Sequence, residues 1–250
     1  MAAPPHLPPR PPPKRPRVVV IAGATGTLGR AVAERLTARG DRVILLARDA
    51  GRLDALVAAL PEGAARALAV DLSGVGAAAR VSGACADATD LIFALGSFPT
   101  TAIERVSRDD LAAQMLEQCA LFVELTLALR AQLSDGRGAA IAFGDDGVER
   151  PYRDHLAYLA GKGALTAAAR ALSLELSTSN DDERGMLVRV GVVAVGAVTD
   201  PNVGDGGGAG RALAARARVG RTGTPAEVAH VALSMMDATW ASGEVWGVGR

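Results

Sequence analysis

Aromatic side chains are scarce in this chain of 250 residues: four Phe, two Trp and two Tyr, 3% in all. With 49% apolar residues, the core must therefore be built mainly from Ala, Val and Leu. Cysteine is scarcer still. Cys85 and Cys119 fit no metal-ligand spacing and make a lone disulfide a poor expectation, so free thiols in a reducing cytoplasm are expected. No sign of charge is in excess: 27 basic and 27 acidic residues cancel, which argues against a nucleic-acid or anionic-membrane partner for the folded part. No uninterrupted apolar run reaches the ~18 residues needed to span a bilayer. A cytoplasmic α/β protein is expected, long enough to bury a sizeable core.

Proline is concentrated rather than scarce. Eight of the thirteen prolines lie in residues 1–16, interleaved with Arg10, Lys14 and Arg15. Proline removes backbone donors and fixes φ, so residues 1–16 are expected to be an extended, disordered tail of polyproline-II character. The tail has no apolar h-region of a secretory signal. Its Pro-x-x-Pro spacing would suit a proline-binding module, and a leader without function is the plainer reading. Residues 17–250 are expected to form a single domain.

Past the tail, β-branched and apolar runs alternate with helical patterns. Arg17–Ala22 reads as a buried strand. Gly23-Ala24-Thr25-Gly26-Thr27-Leu28-Gly29 follows directly, and a helix with Val32 and Leu36 on one face then runs to Gly40. Strand, glycine turn and helix make a dinucleotide-binding context, because the glycines let backbone N–H groups approach a pyrophosphate at the helix N-terminus. The spacing is G-x-x-G-x-x-G, so the context carries as much of the argument as the motif. Val43–Ala47 is a second strand ending at Arg48. An arginine there, with no acidic residue before it, accommodates a ribose 2′-phosphate and points to NADP(H); Asp49 comes one residue too late to hold a 2′-hydroxyl.

Further strands are predicted at Ala67–Val70, Asp90–Leu95, Gly138–Phe143, Leu187–Val195 and Gly243–Val248. Helices are predicted from Ala50 to Leu60, from Ser107 with Asp110 as capping-box partner, around Tyr158, and from Pro225. Gly204–Gly210 reads as a glycine-rich loop near a substrate mouth. The alternation predicts an α/β fold, a single doubly wound parallel sheet of Rossmann type with helices on both faces, and ligands in the crevice at the strands' carboxyl ends.

Tyr158 and Lys162 stand four apart on a helix whose apolar residues continue through Leu165, Ala169, Leu172 and Leu176. They share one face, so phenol and ammonium can converge. A nearby cation favours phenolate, and Lys162 is expected to draw the Tyr158 pKa down from about 10. A tyrosine so placed can protonate an oxygen or nitrogen that has just received a hydride. Alone, Tyr-x-x-x-Lys is an ordinary helix face.

Taken together, the glycine turn, Asp71 after the third strand, Tyr158-x-x-x-Lys162 and Gly220-Arg221-x-Gly223-x-Pro225-x-Glu227 appear in the order that resembles the short-chain dehydrogenase/reductase family, over nearly all of the chain after the tail. Within it, Ser97-Phe98-Pro99-Thr100 and Asp145-x-x-x-Glu149-Arg150-Pro151, with a tyrosine seven residues after the proline, are similar to pteridine reductases. The resemblance implies that Gly23, Thr25, Gly26, Thr27, Leu28, Gly29, Arg48, Asp71 and Leu72 contact NADP(H). It implies that Lys162 binds the nicotinamide ribose and that Tyr158 donates the proton. Asp145 stands thirteen positions before Tyr158, where most of the family has serine, and would relay a proton to it. Ser97 and Phe98, with Tyr158, would meet the substrate, Phe98 stacking on a flat ring. Members commonly assemble as homo-dimers or homo-tetramers. Several family positions differ here. The strand end reads Ala94-Leu95-Gly96 in place of an asparagine-led motif. Gly96 replaces a pterin-contacting serine. A relay asparagine is missing around Leu116 to Gln118. Thr27 falls near the place of a basic residue, and the chain ends Gly247-Val248-Gly249-Arg250.

Two functions fit. One is an NADPH-dependent reductase of a pterin or another small conjugated or carbonyl substrate; the other is a non-catalytic relative that binds a dinucleotide or a protein. The missing asparagines favour the second. The intact Asp145, Tyr158 and Lys162 at matching spacing favour the first, which is the expectation carried forward.

Overall fold

The computed structural model describes residues 17–135, 137–177, 187–199, 214–215 and 217–249. The proline-rich tail and the Gly204–Gly210 loop lie outside the described residues.

Seven strands form one sheet: β1 (Val18–Ala22), β2 (Arg42–Ala47), β3 (Ala65–Ala69), β4 (Asp90–Phe93), β5 (Ala139–Asp145), β6 (Arg189–Val195) and β7 (Glu244–Val248). Their spatial order is β3-β2-β1-β4-β5-β6-β7, and every pairing is parallel. The chain works outward from β1 to β3 and then returns to the other side of β1. The order therefore reverses between β1 and β4, which is where a crevice opens at the carboxyl edge of such sheets. β1, Val-Val-Val-Ile-Ala, is buried throughout, as a strand covered on both faces must be.

One face of the sheet is covered by α1 (Thr27–Ala38), α2 (Ala50–Ala58) and α7 (Pro225–Asp237), through a core that includes Val32, Leu36, Leu53, Leu56, Leu233 and Met236. The other carries α3 (Ala77–Ala84), α5 (Leu121–Asp135) and α6 (Leu156–Glu175), with Val81, Phe122, Leu125, Leu129, Leu165 and Leu172 in the core. α4 (Arg108–Met115) leads into α5 through one π-helical turn, Leu116–Ala120, and packs on α6. The stretch Arg108–Ser134 is long and apolar enough to cross a membrane by length and composition, at mean hydropathy 1.3.

Several boundaries depart from the sequence reading, each for a pairing reason. The fourth strand stops at Phe93, not Leu95, because its partner β1 ends at Ala22 and the chain turns at Gly23, with φ +78°. Ala94 makes the last bond, to the Ala22 carbonyl at 2.8 Å, and the following loop is left irregular. The fifth strand continues past Phe143 to Asp145 because β6 pairs with it that far, Asp145 opposite Val195. The third strand begins two residues early, at Ala65 opposite Val43. Helix α3 was not predicted; its N-cap, Gly76, takes the left-handed conformation at φ +74°. The helix from Ser107 runs on as expected, with one π-helical turn at Leu116–Ala120 inside it, and its capping box with Asp110 is present. Both cysteines are free.

The Gly220–Glu227 motif proves to be a helix start. Thr224 caps α7 in a capping box with Glu227, Pro225 follows at the first position, and Arg221 pairs with the same glutamate at 3.0 Å. These contacts satisfy first-turn donors.

Candidate active site

The glycine turn is shaped by close approach. A Cβ on Gly29 would lie 2.3 Å from the Gly23 carbonyl oxygen, and one on Gly23 would lie 2.7 Å from the backbone of Ala94 and Leu95. Both contacts are with backbone, so no side chain fits at either position. Gly26 caps α1 without a side-chain hydrogen bond, which leaves first-turn N–H groups directed at the turn. Thr25 and Leu28 are half-buried, Gly26 and Thr27 exposed. This is the backbone cradle a pyrophosphate requires.

At the ends of β2 and β3, Arg48 is exposed and lies close enough to Asp71 for its charge to act on that carboxylate. Asp71 is held below the usual carboxylate range, first by the Ser73 hydroxyl and N–H, which donate at 2.7 and 3.0 Å, and then by Arg48. Asp49 is engaged as the α2 cap, accepting from the Arg52 N–H at 3.0 Å. Arg52, which the sequence reading did not single out, reaches back to the Thr25 carbonyl at 2.8 Å. The i,i+3 relation to Asp49 on α2 was the only signal for it. Leu72 is buried in the core under this corner.

Across the crevice, the stripe Tyr158, Lys162, Leu165, Ala169, Leu172 is buried along α6. The same 3.6-residue period that packs this helix on the sheet carries the phenol and ammonium inward. Gly161 lets α4 come close, since a Cβ there would meet the Gln114 carbonyl at 2.7 Å. The Tyr158 hydroxyl donates to Asp145 Oδ2 at 2.8 Å, so the last residue of β5 and the first turn of α6 meet at the carboxyl edge. Asp145 also accepts from the Tyr152 hydroxyl at 2.8 Å and from the Gly147 N–H at 2.7 Å, both at Oδ1.

Lys162 Nζ donates to the Phe143 carbonyl at 2.7 Å and lies 5.7 Å from the centre of the Tyr158 ring. Here the electrostatic expectation is corrected. The Tyr158 pKa is raised, not lowered: burial is the main cause, and the charge of Asp145 and its hydrogen bond add to it. Burial also brings Lys162 down to about 8, against the opposing pull of Asp145 and Glu117. Desolvation disfavours both charged forms and outweighs the attraction expected from i,i+4 spacing.

The loop after β4 is tied to α4 and to the segment before α6. The Ser97 hydroxyl donates to Glu117 and accepts from the Gln114 amide at 3.2 Å, while Gln118 donates to the Ser97 carbonyl at 3.0 Å. Ser97 thus anchors the loop. A Cβ at Gly96 would lie 2.6 Å from Gln118 Oε1, so the glutamine fills the space a serine side chain would occupy. Phe98 is 58% exposed and stacks on His155 at 4.2 Å, with its ring edge-on to Tyr158 at 4.9 Å and tilted to Tyr152 at 6.0 Å. His155 Nδ1 donates to the Pro99 carbonyl at 2.8 Å. Tyr152, His155 and Gln114 were not singled out from sequence, and Gln118 only as bounding the place of a missing asparagine: Tyr152 lies in an irregular segment, and no motif surrounds the glutamines.

A model of the short chain dehydrogenase family matches residues 17–205. The chain belongs to the short-chain dehydrogenase/reductase family. It is 27% identical over 236 residues to carbonyl reductase family member 4 of Danio rerio, covering 92% of this chain and 94% of that protein. Among solved structures, an oxidoreductase of the family from Burkholderia thailandensis is 27% identical, with 94% of this chain and 92% of that one covered and a TM-score of 0.81. A short-chain dehydrogenase/reductase from Serratia marcescens, at 21% identity, shares the fold with a TM-score of 0.82 over 93% of this chain and 96% of that one. Membership makes this an oxidoreductase that uses a nicotinamide dinucleotide and a small-molecule substrate. The residues present fit that cofactor: Gly23 and Gly29 leave the space a pyrophosphate backbone cradle needs, and Tyr158 and Lys162 face the same edge of the sheet.

Proposed function

We propose that this short-chain dehydrogenase/reductase is an NADPH-dependent reductase of a C=N or C=O group in a pterin-like or other carbonyl substrate. The observation that carries the reading is the Tyr158 hydroxyl bound to Asp145 at the carboxyl edge of β5, on the helix stripe that also buries Lys162. When bound, the cofactor supplies the hydride. Tyr158, kept protonated by burial and by Asp145, is the donor to the oxygen or nitrogen whose neighbouring carbon receives it. A phenol held in its neutral form suits reduction more than the reverse reaction. The Gly23–Gly29 turn takes the pyrophosphate, and Arg48 the 2′-phosphate, with Asp49 withdrawn as a helix cap. The ring wall of Phe98, His155 and Tyr152 supports a flat, conjugated substrate through offset and edge-to-face contact, and the name of the zebrafish relative supports a carbonyl. Exposed Met115, Leu116, Leu127, Leu156 and Leu174 along the α4–α5 rod and α6 support assembly of copies through those helices.

The test is NADPH consumption with dihydrobiopterin, dihydrofolate and simple ketones, beside fluorescence titrations of NADPH and NADH. Turnover with at least one of these substrates is expected, with NADPH bound about tenfold more tightly than NADH, ~1.4 kcal/mol, and with that preference erased in Arg48→Ala. No consumption with any substrate would refute the enzyme, and equal affinities in the unmodified protein would refute the role of Arg48.

A further inference from the structure

The chain has only two tyrosines, and both phenols donate to one carboxylate. Tyr158 takes Oδ2 of Asp145 and Tyr152 takes Oδ1, each at 2.8 Å. The two differ in access to water: Tyr158 is buried and Tyr152 half-buried. The approach of Tyr152 depends on Gly147, since a Cβ there would lie 2.4 Å from Tyr152 Cε1. Edge-on packing against His155, 5.1 Å between ring centres, fixes the ring from the other side. The remaining polar groups nearby point elsewhere. Lys162 is bonded to the Phe143 carbonyl, and Gln118 to Ser97 and Gln114. Among the described residues, the hydrogen-bonded path from the buried phenol toward the surface therefore runs Tyr158–Asp145–Tyr152.

We propose that Tyr152 is a positioning residue that, through Asp145, returns a proton from water to Tyr158 after each reduction. This rests on Tyr158 as the proton donor. Once Tyr158 has given its proton to the substrate it is a phenolate beside a carboxylate. A proton passes from Tyr152 to Asp145 and from Asp145 to Tyr158, and water reprotonates Tyr152. One solvent proton is consumed per hydride, Asp145 and Tyr152 end the cycle unchanged, and no group of the protein is oxidised or reduced. Tyr152 delivers the proton to Oδ1 while Tyr158 faces Oδ2, so a half-turn of the neutral carboxyl about Cβ–Cγ carries it from one phenol to the other.

The experiment compares the full chain with Tyr152→Phe, which keeps the ring packing, using NADPH and whichever substrate the screen above finds. We expect kcat to fall about tenfold, below the 10²–10⁴-fold typical of direct proton donation, with KM unchanged. The first turnover, measured with enzyme in excess, keeps its rate because the Tyr158 proton is already in place. Added imidazole buffer, a small proton donor, restores most of kcat. Unchanged kcat, a slowed first turnover or a loss that buffer does not restore would each overturn the proposal. Absence of turnover in the unmodified protein would instead remove the Tyr158 donor reading on which it stands.

Discussion

Two aspartates mark opposite edges of the sheet, and their partners set them apart. Asp90 opens β4 at the amino edge and is fully buried. Its oxygens meet the Arg17 guanidinium at 3.4 Å, the Thr89 hydroxyl at 2.9 Å and the Ala139 N–H at 2.9 Å. Arg17 continues to Asp237 at 2.9 Å. Asp145 closes β5 at the carboxyl edge with two phenols and one N–H, and among the described residues it has no salt bridge. Burial pushes Asp90 upward and Arg17 opposes that most strongly. An arginine never gives up its proton, so the Asp90 cluster can only hold strands together. A phenol can give up its proton, so the Asp145 cluster can do chemistry. The same side chain in the same sheet is structural or reactive according to the acidity of what it binds.

The sharpest way to break this contrast is Tyr158→Phe, which leaves the packing and removes one acidic hydroxyl from Asp145. We expect kcat to drop about 10²–10⁴-fold, ~3–5 kcal/mol, with NADPH binding retained by fluorescence titration; unchanged turnover would sink the proton-donor reading. Asp90→Asn tests the other edge. Leaving Arg17 without its buried carboxylate partner is expected to cost about 3 kcal/mol by denaturant unfolding, with kcat per folded molecule unchanged. A loss of kcat without a loss of stability would erase the distinction between the edges.

Lys162 sharpens the comparison through pH. Its folded pKa of about 8 lies below its ordinary 10.5. Below pH 8 the lysine is charged in both states, and the folded state carries the full cost of burying it. Between pH 8 and 10.5 the unfolded chain holds the proton while the folded one has released it, so stability rises with pH and the cost is gone above 10.5. The whole window amounts to about 3 kcal/mol. Tyr158 acts in the opposite sense and only above its ordinary value of 10. The stability difference between Lys162→Met and the unmodified protein should therefore shift by about 2 kcal/mol from pH 8 to 10, in favour of the unmodified protein. A flat difference would show that the ammonium is better solvated than its 6% exposure implies.

Legibility in the sequence followed the range of each interaction. β1, the glycine turn and the α6 stripe were readable because a strand period, a close turn and an i,i+4 face lie within a few residues of one another. The Arg48 corner was half readable: its strand end was visible, but the withdrawal of Asp49 into a helix cap depends on where α2 begins. Tyr152 was invisible, since the segment from Asp146 to His155 has no period and its ring is placed by Asp145, Gly147 and His155 together. The predicted depression of the Tyr158 pKa failed for a related reason. Spacing puts an ammonium near the ring, but the depth of burial and the carboxylate from β5 come from the folded sheet.

By itself, the order of residues determined an alternating parallel sheet, a backbone cradle after its first strand, and a tyrosine and lysine on one helix face, because each follows from local geometry and the burial of an apolar stripe. The tertiary structure alone decided that two phenols share one carboxylate, that Ser97 anchors a loop, and that Tyr158 stays protonated. Those depend on desolvation and on partners brought together from separate elements, which no local spacing encodes.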